Sequence, residues 1–272
     1  MNPFRSLLKS SGAQPSLGTW ILSASPIVAE AMGHAGFEWG VIDMEHTPLD
    51  MMGVVHLLQA VGNTRMVPLV RVPWNDAVTV KRVLDAGAHT LLVPFVQNAD
   101  EARCAVAATR YPPAGIRSVV TMSRASRFGT APNYLKNADQ QMGVVVQLET
   151  EAAVRAIESI GAVDGVDAVF ISPSDLAGSM GHAGQLLHPA VVALVTQAVE
   201  RCHTIGKPIG TLGHSPDQVV HYRAMGFNYL AVSSDLGLLM RGAGGALQAL
   251  RTSEGEHHVH TLTSGTRLTA GE

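Results

Sequence analysis

The sequence predicts an α/β protein that forms a single (β/α)8 TIM barrel. Segments with strand patterns alternate with segments with helix patterns, and short Gly, Pro, Asp or Asn turns separate them, as in repeated βα units. The strand segments are apolar along most of their length, which is typical of parallel strands buried on both faces. The length of 272 residues suits one barrel. Alternation, apolar strands and size therefore favour the same fold.

Eight strand segments can be placed along the chain. They cover residues 16–23, 37–45, 65–73, 90–96, 143–150, 167–174, 207–213 and 228–235. Helix patterns cover residues 50–61, 76–86, 99–110 and 188–205, and several begin with Asp, Ser or Pro. No linker divides these segments, so we predict one barrel domain over residues 1–251.

Three segments depart from the regular alternation. Residues 111–142 are too long for an ordinary connection, and we expect them to fold over a barrel mouth. Residues 176–189 form a Gly-rich loop ahead of a helix, which is typical of a lid. Residues 252–272 are polar and lack periodicity, so we predict a flexible tail.

Charge and hydropathy exclude two classes of partner. The formal net charge is −3 and the pI is about 6.4, and no run of Lys and Arg marks a nucleic-acid surface. The apolar runs are strand-sized, and residues 1–12 lack the apolar centre of a signal peptide. We therefore expect a cytoplasmic protein that binds neither nucleic acid nor a membrane.

Two carboxylates follow apolar strands at the ends where barrels hold their active sites. Glu149 ends the fifth strand segment, and Asp175 follows the sixth. Two acids at one mouth favour a hard divalent cation, with coordination positions left for substrate and water. Mg²⁺, Mn²⁺, Co²⁺ and Zn²⁺ all fit such oxygen ligands to some degree. The structural alternative is that Glu149 caps the next helix and Asp175 begins a turn.

The second strand brings further polar side chains to the same mouth. It ends in VIDMEH, so Asp43 and Glu45 share a face while His46 lies at the loop boundary. A histidine beside a carboxylate can act as a general base, because the carboxylate orients the ring. We favour this role for His46 over a purely structural one.

Arg71 and Asp85 are charged residues at positions that call for a partner. Arg71 ends the third strand, and its planar guanidinium suits a carboxylate or an enolate oxygen. The structural alternative is a buried salt bridge to Asp43 or Glu45. Asp85 ends a helix pattern, where the helix dipole disfavours an acid. His46 is one candidate partner for Asp85, and exposure to solvent is an equally good explanation.

The segment after the sixth strand offers backbone donors. The N–H groups of Ser174 and Asp175 would be unpaired at a turn, and paired donors of this kind bind a small carboxylate. Ser172 and Ser174 lack the G-x-S-x-G surroundings of a hydrolase nucleophile. None of the four lysines is placed to project from a strand into an apolar pocket, which argues against Schiff-base chemistry.

In combination, these segments resemble the HpcH/HpaI aldolase family, the class II, metal-dependent pyruvate aldolases of the phosphoenolpyruvate/pyruvate superfamily. The resemblance covers about residues 4–250. It is carried by VIDMEHTP, LVRVPWND, TLLVPFVQNADEA, ATRYPPAGIRS, QLET and SPSDLAGSMGHAG. In this order the motifs are highly specific.

The resemblance implies roles for individual positions. The family's metal ligands match Glu149 and Asp175. Its catalytic positions match Arg71, which stabilises the pyruvate enolate, and the base His46, with Asp43 and Asp85 in the network around the base. Its substrate-binding positions match Arg71, Gln147, Ser174, Asp175, Trp20 and Leu212. The resemblance also implies a homo-hexamer, a trimer of dimers, in which the C-terminal helix is exchanged between subunits.

We therefore expect a class II aldolase that reversibly joins pyruvate, or hydroxypyruvate, to an aldehyde and so acts on 4-hydroxy-2-oxo acids. Two departures from the family, Met44 in place of glycine and ISPSD in place of IGPAD, should affect the choice of aldehyde and spare the reaction. The alternatives are a citrate- or malyl-thioester lyase of the same superfamily and a non-catalytic barrel that binds a metal and an oxo acid.

Overall fold

A closed barrel of eight parallel strands forms the centre of the computed structural model, which describes the backbone of residues 1–10 and 14–264 and side chains up to residue 251. The strands pair in sequence order, and the first closes the ring by pairing with the last. The predicted fold class is confirmed. The strands are β1 (Ser16–Ile21), β2 (Trp39–Asp43), β3 (Val67–Arg71), β4 (Thr90–Val93), β5 (Gly143–Leu148), β6 (Ala168–Ile171), β7 (Ile209–Gly213) and β8 (Tyr229–Ser234).

Helices lie between successive strands and before the first and after the last. They are α1 (Pro3–Ser10), α2 (Pro26–His34), α3 (Met51–Val61), α4 (Ala77–Asp85), α5 (Ala99–Thr109), α6 (Tyr134–Gln141), α7 (Glu151–Arg155), α8 (Ile157–Gly161), α9 (Pro173–Ser179), α10 (Pro189–Thr204), α11 (Pro216–Ala224) and α12 (Asp235–Ser264). Many begin with a side-chain cap: Ser25, Asp50, Asp76, Asn98 and Thr150 each accept a backbone N–H from the first turn that follows.

Aromatic side chains fill the amino-terminal half of the barrel. Phe4, Trp39 and Tyr229 are fully buried and meet edge to face, with ring centroids 5.3 to 6.1 Å apart. Glycines make room for them: a Cβ on Gly18 or Gly210 would lie 2.2 Å from the ring of Trp39 or Tyr229. This packed layer leaves the carboxyl-terminal half for a cavity.

Helix α1 closes the amino-terminal end of the barrel. Besides the insertion of Phe4, the Asn2 side-chain amide donates to the carbonyls of His89 and Gln141, at 2.8 Å each. Arg5 forms an ion pair with Asp167 in which the Nε–Oδ1 distance is 2.5 Å. The segment thus ties the starts of several strands together.

Residues 111–142 also pack at the amino-terminal end. The N–H of Ala125 donates to the carbonyl of Asp85, and the Arg124 guanidinium donates to the carbonyl of Ala86. Both carbonyls belong to the C-terminal end of α4. Residues 111–142 therefore cover the amino-terminal mouth of the barrel and not the mouth at the carboxyl ends of the strands. This position is expected for a segment that follows a helix and precedes a strand.

The sixth strand is shorter than the sequence predicts. β6 ends at Ile171, and residues 173–179 form α9. Pro173 occupies the first helical position, where a missing N–H costs nothing, and this favours the early change to helix. Asp175 consequently lies in the first turn of a helix and not in a turn at the end of a strand.

Residues 1–235 form one compact unit, and the remainder of α12 belongs to a second. The helix continues into the predicted tail, which begins at residue 252, as far as Ser264. Residues 265–272, the end of that predicted tail, lie outside the described residues. The exchange of α12 between subunits stays a prediction. In the described part of the chain, no helix has both the length and the apolar character needed to cross a membrane.

Candidate active site

A cavity of about 310 Å³ opens at the carboxyl ends of the strands. Its walls combine aromatic, aliphatic and charged groups, as small-molecule sites commonly do. Eight of the predicted site residues line it: Trp20, Asp43, His46, Arg71, Gln147, Ser174, Asp175 and Leu212. Glu149 lies next to this lining, whereas Asp85 is at the other end of the barrel.

Arg71 occupies the centre of an ionic network at the base of the cavity. Its Nε and Nη2 donate to the two carboxylate oxygens of Asp43, each at 2.8 Å, and its Nη1 lies 2.8 Å from Oε2 of Glu45. Asp43 is fully buried and Arg71 is 6% exposed. The salt bridge considered as a structural alternative is therefore present, and both acids that were candidates take part in it.

Trp20 packs against one face of this guanidinium, whose N–H edges bind the two carboxylates. The Arg71 Cζ lies 4.2 Å from the centroid of the indole, which is cation–π distance. Fixed by two carboxylates and a ring, the guanidinium has little freedom to turn, so its position in the cavity is preorganised.

Glu149 follows the last residue of β5 and is 8% exposed. Burial, and then the negative charges of Asp175 and Glu45, raise the pKa of Glu149 to about 7, although Arg71 and a hydrogen bond from Gln147 oppose the shift. That hydrogen bond joins Gln147 Nε2 to Glu149 Oε1 at 2.6 Å. Thr150, and not Glu149, caps the next helix, so the structural alternative for Glu149 is absent.

Asp175 reaches the same region from the first turn of α9. Its carboxylate accepts a hydrogen bond from the hydroxyl of Ser172, the residue before the helix. The N–H groups of Ser174 and Asp175 belong to a first helical turn, where backbone donors lack partners within the helix. The expected pair of donors is thus retained, although a helix and not a turn supplies it.

His46 lies at the rim of the cavity beside Glu45. The His46 Nε2 is 3.9 Å from Glu45 Oε2, and the side chain of His46 is 68% exposed. Burial raises the pKa of Glu45 even though the charges of Arg71 and His46 oppose it. The carboxylate beside the proposed base is therefore Glu45.

Asp85 is not near His46 within one chain. Its Oδ1 accepts from Nη2 of Arg117 at 2.7 Å, and Arg117 is 1% exposed. The expectation that Asp85 contacts His46 is wrong for a single chain, because α4 runs away from the cavity and carries its last residue to the amino-terminal end. The ion pair with Arg117 also explains why Asp85 is tolerated at the C-terminal end of α4, where the helix dipole disfavours a negative charge.

Two residues of the site have no role predicted from the sequence: Ser172, which donates to Asp175, and His214, which lines the cavity. Glu45 is predicted only as a candidate partner of Arg71, and the structure confirms that pairing. The alternation that puts Asp43 on one face of β2 also points Glu45 the same way. His214 directly follows β7, the same positional signal that identified His46.

The donor set at this mouth fits a divalent cation. Glu149 and Asp175 are close enough for one charge to raise the pKa of the other carboxyl, and the buried Oε1 of Gln147 beside them has no hydrogen-bond partner. These are hard oxygen donors. Among the described residues, no three His, Cys, Asp or Glu side chains cluster as a metal site. A divalent cation takes more ligands than two carboxylates supply, so substrate and water would complete its coordination if Glu149 and Asp175 held it.

The carboxyl mouth of this parallel barrel holds a fixed guanidinium, that of Arg71, and the paired carboxylates of Glu149 and Asp175. This arrangement is typical of a metal-assisted enzyme. Comparison with known proteins specifies the class further. The chain belongs to the HpcH/HpaI aldolase/citrate lyase family, which matches residues 16–242.

Several proteins with similar sequences are aldolases. The chain is 44% identical over 245 residues to 2-dehydro-3,6-dideoxy-6-sulfogluconate aldolase from Pseudomonas putida, covering 90% of this chain and 96% of that one. It is 46% identical over 243 residues to 4-hydroxy-2-oxo-heptane-1,7-dioate aldolase from Salmonella arizonae, covering 89% and 92%. An HpcH/HpaI aldolase/citrate lyase family protein from Burkholderia cenocepacia has a similar crystal structure, with a TM-score of 0.89 at 38% identity, covering 92% and 100%.

These similarities identify the chemistry in outline. The chain is an aldolase, a carbon–carbon lyase, and aldolases of this family depend on a divalent metal ion. The fold and the family agree with the expectation from the sequence.

Proposed function

We propose that this aldolase reversibly joins pyruvate, or hydroxypyruvate, to an aldehyde and acts on 4-hydroxy-2-oxo acids. The observation that carries the proposal is the juxtaposition of Arg71 with the electrostatically coupled carboxylates of Glu149 and Asp175. The names of the similar aldolases describe a 2-dehydro sugar acid and a 4-hydroxy-2-oxo diacid. Both names support a substrate with a keto group next to a carboxylate.

Glu149 and Asp175 would hold the divalent cation, with Mg²⁺, Mn²⁺ and Co²⁺ as first candidates and Zn²⁺ as a further one. When bound, such a cation supplies a Lewis acid that polarises the keto group and acidifies the neighbouring carbon. Gln147 orients Glu149 through its amide N–H, and Ser172 orients Asp175 through its hydroxyl. These contacts fix the direction of the donor oxygens.

The backbone N–H groups of Ser174 and Asp175 bind the substrate carboxylate, and Arg71 stabilises the negative charge that develops on the keto oxygen. Arg71 can do so because its guanidinium is already held in place by Asp43, Glu45 and Trp20, so little reorganisation accompanies the reaction. Losing one preorganised donor of this kind typically lowers kcat by about 10²–10³.

His46 moves the protons. In cleavage it takes the proton of the 4-hydroxyl, the C3–C4 bond breaks, the aldehyde leaves, and the electron pair of that bond forms the pyruvate enolate. Protonation at C3 then gives pyruvate, and addition reverses these steps. Glu45, 3.9 Å away, stabilises the protonated ring. Trp20 and Leu212 line the cavity, and they would contact the chain of the aldehyde.

Metal-dependent cleavage tests this assignment. We expect EDTA to abolish release of pyruvate from a 4-hydroxy-2-oxo acid and Mg²⁺ or Mn²⁺ to restore it. Glu149→Ala should not be restored at micromolar metal, whereas the neighbouring exposed acid changed in Glu151→Ala should respond as the unmodified enzyme does. Equal metal dependence in the two variants would remove Glu149 from the ligand set.

A homo-hexamer, formed as a trimer of dimers by exchange of α12, completes the proposal. α12 carries the large apolar residues Leu239, Met240 and Leu247, which favour burial against another surface. Any role for Asp85 at His46 also requires a second chain, because the two lie at opposite ends of one barrel. A cytoplasmic location is proposed from the composition alone.

A further inference from the structure

The cavity at the carboxyl ends of the strands has two chemically different sides. The charged groups Asp43, Arg71 and Glu149 end or follow β2, β3 and β5. The opposite side comes from the ends of β6, β7, β8 and β1, whose described residues bring no Lys or Arg to the lining. Trp20 and Leu212 provide the apolar part of this second side. Its polar side chains are not used in the proposed mechanism.

Two of these polar side chains lie where regular alternation places them. In β7, a Cβ on Gly210 would meet a ring inside the barrel, and Leu212 packs against the cluster of residues inside the barrel. His214 is the next residue in this alternation, and it lines the cavity. On β6, Ser172 follows the interior residue Phe170 with the same spacing and also lines the cavity. Both side chains therefore lie nearer the mouth than the apolar layer.

Ser234 lies at a position in β8 that regular alternation would turn away from the cavity. Tyr229 and Ala231 belong to the cluster of residues inside the barrel. Leu230 belongs to the outer cluster, between the barrel and the helices. Regular alternation would therefore make Ser233 the next inward residue. Ser234 lines the cavity instead.

A bulge in β8 causes this change. Gly18 pairs with Ala231 and Trp20 pairs with Ser234, so two steps along β1 correspond to three along β8. Within the bulge, Ser233 has a φ of 57°, a left-handed conformation that is unfavourable for a residue other than glycine. Bulges are common beside active sites, where they redirect a side chain. The strained backbone of β8 thus directs Ser234 into the cavity.

The polar groups on this side suit a neutral, hydroxylated ligand. A neutral imidazole offers one donor and one acceptor, and a serine hydroxyl offers both, which matches the hydroxyl group of a substrate. No described residue that lines this side carries a permanent positive charge. Arg71 lies across the cavity and is already paired with Asp43 and Glu45. A second anionic group would therefore lack a cation here, whereas a hydroxyl group would find partners.

We propose that His214 and Ser234 are specificity-determining residues that bind hydroxyl groups of the aldehyde part of the substrate. The enzyme then prefers a hydroxyaldehyde to an unsubstituted aldehyde of the same length. This inference rests on the proposed function, because it takes the charged side of the cavity to hold the keto acid. Ser172 donates its hydroxyl to Asp175 and is a positioning residue for that carboxylate.

The rate of aldol addition of pyruvate to D-glyceraldehyde and to propanal tests this assignment, because these aldehydes have equal chain lengths and differ only in hydroxyl groups. In His214→Ala and in Ser234→Ala, the ratio of kcat/KM for glyceraldehyde to kcat/KM for propanal should fall about threefold to tenfold, as expected for one lost hydrogen bond. Both aldehydes are compared on one protein sample, so any loss of folded protein cancels from the ratio. The matched control is His56→Ala, at an exposed histidine of α3 outside the cavity lining, which should keep the unmodified ratio.

Two results would overturn the inference. The first is an unchanged ratio in both His214→Ala and Ser234→Ala. The second is a loss in His214→Ala that is confined to an anionic aldehyde, measured with succinic semialdehyde against butanal, since the histidine would then bind a carboxylate.

Exchange of the pyruvate methyl protons for deuterium by the unmodified protein separates this inference from the proposed function, because exchange requires no aldehyde. If exchange occurs with metal and the aldehyde ratios do not change in the variants, only the roles of His214 and Ser234 are wrong. If exchange is absent with every metal, both the proposed function and this inference fail.

Discussion

Arg71 is the residue whose surroundings decide how its role can be tested. Removing its side chain would leave Asp43, which is fully buried, without its two hydrogen bonds. Stranding a buried charge costs about 3–5 kcal/mol, so Arg71→Ala would confuse loss of folding with loss of catalysis. A substitution that keeps the positive charge is therefore needed.

Arg71→Lys should lower kcat for aldol cleavage by about 10²–10³, since lysine keeps the charge but loses the planar fork. The free energy of unfolding should fall by only about 1–3 kcal/mol. Steady-state kinetics and denaturant unfolding measure the two effects. Arg5→Lys, which weakens an ion pair at the other end of the barrel, is the control and should leave kcat unchanged. A normal kcat in Arg71→Lys would contradict the role of the guanidinium.

Ionisation of Glu149 makes the free energy of unfolding depend on pH. Its carboxyl ionises near pH 4.5 when unfolded and near 7 in the folded, metal-free protein. Between these values the folded state holds a proton that the unfolded state has lost, so the free energy of unfolding falls as pH rises. This loss of stability is the cost of ionising the buried Glu149 carboxyl in the folded protein. The penalty is absent below about pH 4.5, is complete above about pH 7, and amounts to roughly 3 kcal/mol.

Glu149→Gln removes this penalty. Without metal, the variant should unfold with a larger free energy than the unmodified protein at pH 8, and with a similar one near pH 4.5. Adding Mg²⁺ or Mn²⁺ should stabilise the unmodified protein and not the variant. Denaturant unfolding with EDTA at several pH values provides the test, and a difference that does not change with pH would contradict it.

At the scale of elements, the sequence predicts what depends on local pattern and fails where the chain changes direction. All eight strands were placed, because buried parallel strands are continuous apolar runs. The sixth was extended too far, because Ser-Pro-Ser-Asp has no helical periodicity, yet Ser172 and Pro173 suit the start of a helix. The sequence thus predicts Asp175 as a site residue but does not predict helix α9, which carries it.

Contacts between elements were less predictable. The bidentate pairing of Arg71 with Asp43 follows from two strand ends meeting, and was foreseen as an alternative. The pairing of Asp85 with Arg117 was not, because Arg117 lies in a connection without periodicity. The residue of residues 111–142 that contacts the end of α4 depends on how this connection packs in three dimensions, and local sequence pattern does not reveal that.

Helix α1 provides a prediction of its own. Phe4 is fully buried against Trp39 and Tyr229, so Phe4→Ala should lower the free energy of unfolding by about 3–5 kcal/mol. The rate of cleavage well below the melting temperature should not change, because the packed aromatic layer separates α1 from the active site. Phe128→Ala, at a side chain that is 67% exposed, is the control and should cost less than about 0.5 kcal/mol. A stable Phe4→Ala protein would refute this account of the barrel interior.

At the scale of the whole molecule, the barrel separates two charged regions. The carboxyl mouth combines Arg71 with several carboxylates, whereas Arg124 and Arg127 line a cavity at the amino-terminal end whose described lining residues include no acid. Parallel strands impose this separation, because residues that follow strands and residues that precede them lie at opposite ends.

The size of the assembly is testable at this scale. Light scattering should give a mass of about 172 kDa, six times that of the 28.7 kDa chain. A variant that ends at residue 235 should form smaller species, since α12 is the helix proposed to be exchanged. A mass near that of one chain for the full-length protein would contradict the hexamer.

The central claim is that this site forms an enolate of pyruvate, and exchange of the pyruvate methyl protons for deuterium measures this step without an aldehyde. Followed by NMR, exchange should require Mg²⁺ or Mn²⁺, stop with EDTA, and fall by about 10²–10⁴ in His46→Ala. Exchange that persists without metal would contradict the class II mechanism. Its absence with every metal, for both pyruvate and hydroxypyruvate, would contradict the proposed function and favour a thioester lyase or a binding protein.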